Sequence, residues 1–330
     1  MTEPTPARHP EPRPAQLLSV VVPTMNEEDV LPEFHSRLAA VLRQLPIRSE
    51  IVYVNDGSTD ATLAVMKRLR SADPRVAIVD LSRNFGKEIA LTAGLDHAEG
   101  DVVVIIDADL QDPPELIHEL LAGFRDGFDV VYAQRRVREG ETFIKKATAF
   151  AFYRVIQRLT PRVKIPADTG DFRLLSRRAL DSLQTLREQH RFMKGLYAWV
   201  GYPQKAVPYD RSPRHAGQTK WNYWGLWNFA IEGITSFSTA PLKLASYVGI
   251  FTAVGAILYA AWIVYKTIAF GEDVRGYPSL MVVILFLGGV QLVTIGILGE
   301  YLGRMFDETK GRPLYFVTEY VPPGDPESPA

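Results

Sequence analysis

The 330-residue chain contains no cysteine. Disulfides, thiolate metal sites and cysteine nucleophiles are therefore excluded. Its six histidines (His9, His35, His97, His118, His190 and His215) are scattered and show no HExxH spacing, which argues against a zinc hydrolase. No GxGxxG follows the first apolar run, and no GxxxxGK[ST] is present. These absences count against a dinucleotide-binding dehydrogenase and a P-loop NTPase. An excess of charge is also missing. Lys plus Arg number 37 and Asp plus Glu 38, a balance that argues against a general nucleic-acid binder.

What is present is uneven. At 47% hydrophobic and 23% charged, the chain can build a sizeable core, and its length suggests about two domains. Residues 244–265 carry no formal charge over 22 positions, and residues 277–299 none over 23. Each run can cross a hydrocarbon core, which needs about 20 apolar residues. Their pairing across a short polar link favours two membrane spans, at about 244–265 and 278–299, over two buried core helices. Both lie far from the N-terminus, so neither is a signal peptide.

The rest of the chain divides by pattern. Residues 1–16 hold Pro4, Pro6, Pro10, Pro12 and Pro14, the composition of a disordered tail. Short Val/Ile-rich runs then occur at 17–23, 50–55, 76–81, 102–107 and 129–133, separated by segments of helical period such as 30–45 and 60–69. Alternating strands and helices predict an α/β domain over 17–220 with a mostly parallel, doubly wound sheet. The basic, aromatic-rich stretch 135–164 suits either a membrane surface or an ordinary solvated helix. Trp221, Trp224 and Trp227 make a stronger case for an interfacial amphipathic helix over 221–240, because Trp favours the headgroup level. The spans then occupy 241–303, and 304–330 reads as a C-terminal tail. Lys243 precedes the first span, and Arg304, Lys310 and Arg312 follow the second. The link holds only Lys266 and Arg275, offset by Glu272 and Asp273. This distribution predicts a multi-pass protein of the inner (cytoplasmic) membrane, with the α/β domain and both termini in the cytoplasm.

In doubly wound sheets, ligands bind at the carboxyl ends of the strands. The segments there are polar and acidic: PTMNEE (23–28), NDGSTD (55–60) and DAD (107–109). Asp107 and Asp109 are two carboxylates at one strand end, able to hold Mg²⁺ or Mn²⁺ while a diphosphate supplies further ligands. Asp56, in a Gly/Ser-rich turn, is placed to accept hydrogen bonds from a nucleobase or ribose. Thr59 or Asp60 can cap the following helix instead.

The strings VVVPTMNEE (20–28), VNDGSTD (54–60) and DADLQDPPE (107–115) resemble the family 2 glycosyltransferases, with their nucleotide-sugar-binding GT-A fold. RNFGK (83–87), DTGDFR (168–173), RHAGQTK (214–220) and GEYLGR (299–304) narrow the resemblance to polyprenyl-phosphate glycosyltransferases: dolichol-phosphate mannose synthases and, more closely, bactoprenol glucosyltransferases. It covers roughly residues 17–318. Thr219 stands where Ser is commoner, with the hydroxyl retained.

The resemblance implies roles. Pro23, Asn26, Glu27 and Asp56 would line the nucleoside pocket. Asp107 and Asp109 would hold the metal, with Gln111 near the sugar or metal shell and Arg135 facing the phosphates. Asp168 or Asp171 would be the proposed base. Arg211, Arg214 and Lys220 would meet the acceptor or donor phosphate. Local readings stay open beside these: Arg135 paired with a carboxylate, Lys220 as an interfacial anchor, Asp171 capping a turn. A phosphate monoester has its second pKa near about 6 and needs little deprotonation at neutral pH. The essential carboxylate is therefore expected to orient Arg173, another basic side chain or a sugar hydroxyl.

The expected activity is inverting transfer from a nucleotide sugar to polyprenyl (undecaprenyl) phosphate at a lipid bilayer, with UDP-glucose the first choice of donor and GDP-mannose the second. No nucleic-acid partner is expected, and a homo-oligomer is left open. A processive polysaccharide synthase fits less well: residues 189–192 do not match QxxRW, and two spans form no polymer channel. A non-catalytic membrane scaffold is disfavoured by the intact Asp107, Asp109 and Arg214.

Overall fold

The computed structural model describes residues 14–136, 166, 169–210, 235, 238–270 and 276–324. The chain forms two compact units, Met1–Trp227 with Pro313–Ala330, and Asn228–Arg312.

In the first unit, strands β1 (Leu17–Thr24), β2 (Arg48–Asn55), β3 (Val76–Leu81) and β4 (Val102–Ile105) alternate with helices α1 (Leu31–Gln44), α2 (Thr62–Ala72) and α3 (Lys87–Asp96). Then follow α4 (Ile117–Arg125), β5 (Val130–Arg135), β6 (Thr169–Ser176), α5 (Arg177–Gln184), α6 (Met193–Trp199), β7 (Gln204–Tyr209) and, far along the chain, β8 (Val317–Val321). All eight strands share one sheet, in the order β7-β5-β6-β4-β1-β2-β3-β8. The central block β4-β1-β2-β3 is parallel throughout.

The sequence explains this block. Val20, Val21 and Val22 point alternately to opposite faces, and all three are fully buried, so both faces are covered. One face joins Val20, Val22, Ile51, Tyr53 and Val104 to Phe34 and Leu38 of α1, Met66 of α2 and Ile117 of α4. Leu31, Phe34, Leu38, Val41 and Leu42 recur at helical spacing along α1, with Pro32 in its first turn, where a missing N–H costs nothing. On the other face α3 lies close to β1 and β2. Gly94 makes this approach feasible, because a Cβ there would fall 2.4 Å from Val21 Cγ1 and 2.8 Å from Val54 Cγ2.

Antiparallel strands extend the parallel block on both sides. β6 runs against β4 and β5, pairing Ile105 with Arg173 and Val131 with Leu174. Because it runs backwards, the start of β6 lies beside the carboxyl ends of its neighbours. Asp171 and Arg173 thus reach the edge where the acidic turns gather. β8 pairs antiparallel with β3 through Val79–Tyr320 and neighbouring residues. This corrects the expectation of a simple tail over 304–330. A five-residue strand whose partner lies about 240 residues earlier leaves no readable local pattern. Further contacts fix the segment: Lys67 Nζ lies 2.6 Å from Glu319 Oε2, the Tyr315 hydroxyl donates to Asp96 Oδ2 at 2.8 Å, and the Gly324 amide donates to the Pro74 carbonyl at 2.7 Å.

The second unit holds two long helices, α7 (Ala240–Phe270) and α8 (Tyr277–Thr309). Both are long and apolar enough to cross a membrane, and their most apolar windows are not buried within the protein. At 1.5 Å per residue α7 extends about 46 Å, beyond a hydrocarbon core of about 30 Å. Phe251, Trp262, Phe286 and Leu292 are all exposed, so the apolar surface runs round the helices and suits lipid. The Tyr301 hydroxyl donates to the Ser238 carbonyl at 2.6 Å, tying the end of α8 to the start of α7. The expected interfacial helix around Trp221, Trp224 and Trp227, the basic stretch from 137 to 164 and the N-terminal residues 1–13 lie outside the described residues.

Gly94→Ala is predicted to destabilise the first unit by about 1–3 kcal/mol, the usual cost of overpacking a filled core. A lowered melting temperature, followed by circular dichroism of the detergent-solubilised protein, checks this. An unchanged one would show that α3 can move away from β1 at little cost.

Candidate active site

The turns after β1 and β2 are latched together by short polar side chains. The Asn26 amide donates to Ser58 Oγ at 3.0 Å, and Asn26 Oδ1 accepts from the Thr59 amide at 2.8 Å. The Glu27 amide donates to Thr62 Oγ1 at 2.9 Å. Asn26 adopts φ 55°, a left-handed conformation that Asn tolerates better than most residues. Asn26 and Glu27 thus use side chain and backbone to shape the turn, next to a half-buried Pro23 at the end of β1.

Asp56 is buried at the end of β2. Its Oδ1 accepts from the Phe85 amide at 2.7 Å and its Oδ2 from the Gly86 amide at 3.0 Å. Burial raises its pKa against the opposing pull of these two N–H groups. The adjacent Gly57 has φ 64°, and a Cβ on it would meet the backbone of Asn84 at 2.4 Å and of Arg83 at 2.5 Å. Loop 83–86 therefore packs directly against the β2 turn, with the Arg83 guanidinium 4.0 Å from the centre of the Phe85 ring.

That loop leads into α3, whose first residue is Lys87. Lys87 Nζ lies 2.7 Å from Asp107 Oδ2 and 2.7 Å from Asp171 Oδ2. One ammonium thus joins the carboxylate after β4 to the carboxylate of β6. Burial opposes the charge on Lys87, but Asp107 and Asp171 outweigh it and hold its pKa well above the usual range. Burial likewise opposes ionisation of Asp171, yet Lys87, with Lys194 behind it, keeps the carboxyl well below the ordinary value. Asp171 Oδ1 is buried without a hydrogen-bond partner among the described residues.

Around this bridge lies a second set of groups. Glu88 Oε2 accepts from the Met193 amide at 3.1 Å, tying α3 to the start of α6. Burial and the nearby Asp171 charge push the Glu88 carboxyl up to about 7. Arg173 is buried and donates through Nη2 to the Gly170 carbonyl at 2.7 Å and through Nε to the Asp171 carbonyl at 3.4 Å. Its guanidinium stacks 3.8 Å from the centre of the Tyr197 ring. The Asp171 carboxylate is therefore bonded to Lys87, while Arg173 is held by backbone carbonyls and an aromatic face.

Asp109 and Gln111 follow on the same turn. Asp109 Oδ1 accepts from the Gln111 amide at 3.1 Å, and Leu110 between them has φ 58°. Arg135, at the end of β5, stands in register with Tyr209 of β7 and hydrogen-bonds its hydroxyl, which also donates to Asp112. Asp168, Arg211, Arg214 and Lys220 lie outside the described residues. Pro23, Asn26, Glu27, Asp56, Asp107, Asp109, Gln111, Arg135 and Asp171 all fall at the end of the sheet where the parallel strands finish. Sequence reasoning did not assign Lys87, Glu88, Asp112 or Tyr209 to the site. Lys87 stood within the RNFGK string, but nothing local showed that it faces Asp107 and Asp171.

A divalent cation would find a partial set of protein donors here. Among the described residues no three His, Asp or Glu side chains converge on one point. Two carboxylates, Asp107 and Asp109, remain at the strand end. That suits a hard cation which keeps several waters and takes other ligands from substrate phosphate, not one caged wholly by protein. The Lys87 ammonium against Asp107 shows that this position already attracts positive charge.

Residues 19–184 match the family described as Glycosyl transferase family 2, and residues 240–305 match the GtrB C-terminal hairpin. An uncharacterised glycosyltransferase of Synechocystis sp. is 56% identical over 310 residues, covering 92% of this chain and 97% of that protein. The bactoprenol glucosyl transferase of Shigella phage SfII is 48% identical over 301 residues, covering 91% and 97%. A prophage bactoprenol glucosyl transferase homologue of Escherichia coli is 47% identical over 300 residues, covering 91% and 98%. The mixed sheet, with its acidic turns at the carboxyl ends of the parallel strands, is a GT-A fold. Domain match, hairpin match and near-full-length relatives agree: the chain belongs to glycosyl transferase family 2.

Proposed function

We propose that the protein transfers glucose from a nucleotide sugar, UDP-glucose by preference, to a polyprenyl phosphate such as undecaprenyl phosphate, inverting the anomeric centre. The observation that carries this reading is the 48% identity to a bactoprenol glucosyl transferase, which extends through the helical hairpin as well as the catalytic domain. The product remains in the membrane as a polyprenyl-phosphate sugar.

The geometry supports a division of labour. The latched turns of Asn26, Glu27 and Asp56 form a firm floor for the nucleoside. Asp107 and Asp109 would hold Mg²⁺ or Mn²⁺, whose contribution is to neutralise charge developing on the leaving diphosphate. Gln111 neighbours them, and Arg135 stands by for phosphate, anchored through Tyr209. The acceptor oxygen attacks the anomeric carbon in line with the departing diphosphate, and a single displacement inverts configuration. Arg211, Arg214 and Lys220 are proposed to bind the acceptor phosphate. Asp171, and Asp168 in the same string, are proposed to position groups around that oxygen. For Asp171 this reading is favoured by its ion pair with Lys87, because a carboxylate held so firmly ionised is a weak base.

The catalytic domain and both termini are proposed to lie on the cytoplasmic face of the inner membrane. Two observations support this: the basic residues flanking the spans, and β8, which returns the chain after α8 to the same sheet that precedes α7.

The activity is tested by incubating the purified protein with undecaprenyl phosphate and a panel of nucleotide sugars, with products read by lipid mass spectrometry. Glucosyl transfer is expected in Mg²⁺ or Mn²⁺. Asp107→Ala, Asp109→Ala and EDTA should each abolish it, whereas full turnover of both variants in chelator would sink the metal assignment. The pH–rate profile should show an acid limb near about 6, set by the acceptor phosphate. The Asp171 carboxyl ionises far below that limb. Asp171→Asn should therefore lower the rate at every pH and leave the limb in place. Recovery of that variant simply on raising the pH would make Asp171 the base. For topology, Asp273→Cys in this cysteine-free chain should react with an impermeant thiol reagent in intact cells opened only at the outer membrane. Protection there, with labelling of a C-terminal cysteine, would invert the orientation.

A further inference from the structure

We propose that Lys87 is an internal counter-cation that competes with the divalent metal for Asp107 and thereby makes metal binding depend on the donor's diphosphate. This rests on the metal reading above and assigns a positioning role to a residue outside the Asp-rich turns.

The argument starts with delivery. Lys87 is the first residue of α3, and the preceding Phe85 and Gly86 amides are fixed on Asp56. Its backbone position is therefore set by the turn that forms the nucleoside floor. Its ammonium bridges two carboxylates at 2.7 Å each, and the three side chains differ in access: Lys87 is 45% exposed, Asp107 25% and Asp171 8%. The bridge thus runs from two partly open side chains, Lys87 and Asp107, to the buried Asp171, so the ammonium can part from Asp107 while it keeps its buried partner. The Asp171 end is incompletely satisfied, because its Oδ1 has no partner among the described residues. A pair serving stability alone is often better replaced by packed apolar side chains, and an ion pair left partly unsatisfied is a costly way to hold a core together.

Charge sets the rest. A lysine ammonium is a compact point charge on a flexible stem, with three donors and no acceptor. A divalent cation at Asp107 must displace it or sit beside it, and either lowers metal affinity while no other anion is present. An arriving diphosphate offers the ammonium a new partner and brings ligands for the metal. Metal and nucleotide then bind with positive coupling, which is reciprocal by thermodynamic linkage. Asp171 keeps its ion pair throughout and stays ionised.

The test measures Mn²⁺ binding to the full-length protein in detergent micelles, by the electron paramagnetic resonance signal of free Mn²⁺, with and without UDP. A protein-free control corrects for Mn²⁺ held by UDP itself. Wild type should bind Mn²⁺ weakly alone and more tightly with UDP. Lys87→Met should bind Mn²⁺ alone about tenfold more tightly than wild type, the scale of removing one nearby unit charge, and UDP should then add correspondingly less. Lys87→Arg, which keeps the charge, should stay weak, and Asp109→Ala in the Lys87→Met background should erase the gain. General damage to the site would weaken Mn²⁺ binding, the opposite sign. Equal or weaker binding by a Lys87→Met protein that melts cooperatively overturns the assignment. So does a wild type whose Mn²⁺ affinity ignores UDP, a measurement that holds even if the variant fails to fold. Both results leave the metal reading standing. Absence of Mn²⁺ binding in every sample, with or without UDP, overturns that reading and this proposal together.

Discussion

The buried carboxylate of Asp56 is the constraint on which the site depends. A carboxylate with both oxygens engaged by consecutive backbone amides fixes the path of the chain through them. Gly57 lets that chain come closer than any side chain would allow. The amides belong to Phe85 and Gly86, the last residues before α3, so Asp56 also determines where α3 begins. From that point Lys87 reaches across to β4 and β6, and Glu88 reaches to α6. Removing Asp56 would leave two half-buried amides without their carboxylate partner and free the segment that aligns the other groups.

The charge pattern poses a problem that the architecture answers. A glycosyl donor carries a diphosphate and a polyprenyl acceptor carries a phosphate, yet the ends of the parallel strands are acidic. Parallel strands alone would gather Asp56, Asp107 and Asp109 with little to offset them. The antiparallel strand β6 changes this by bringing Arg173 to the same edge along with Asp171, and α3 supplies Lys87. The edge therefore presents charges of both signs, with Lys87 set between Asp107 and Asp171.

Much of this was legible in the sequence. The β1 to β5 runs and the helices between them follow from apolar periodicity, and the strand-end rule pointed to the turns at 23–28, 55–60 and 107–109. The spans were visible as uncharged runs, and the helices that contain them extend further, from Ala240 to Phe270 and from Tyr277 to Thr309. Strands β6, β7 and β8 were not anticipated. β6 opens on Thr169, Gly170 and Asp171, β7 carries Pro208, and β8 is five residues long, so none has a clean strand pattern. They exist because neighbouring strands supply the pairing. Lys87 was missed for the same reason. Its partners lie on other strands, and only the reversed direction of β6 brings Asp171 within its reach.

The position of β8 also bears on how the protein is made. Strand β3 is translated early, but its outer neighbour emerges only after both apolar helices. Until then β3 presents an unpaired edge, the kind of surface that recruits strands from other chains. The sheet is therefore completed only once both long helices have been synthesised. A chain cut off before Pro313 would keep every candidate site residue described above and still lack the strand that closes its sheet. For this protein, the strand that closes the sheet of the first unit is supplied by residues that follow the two long helices.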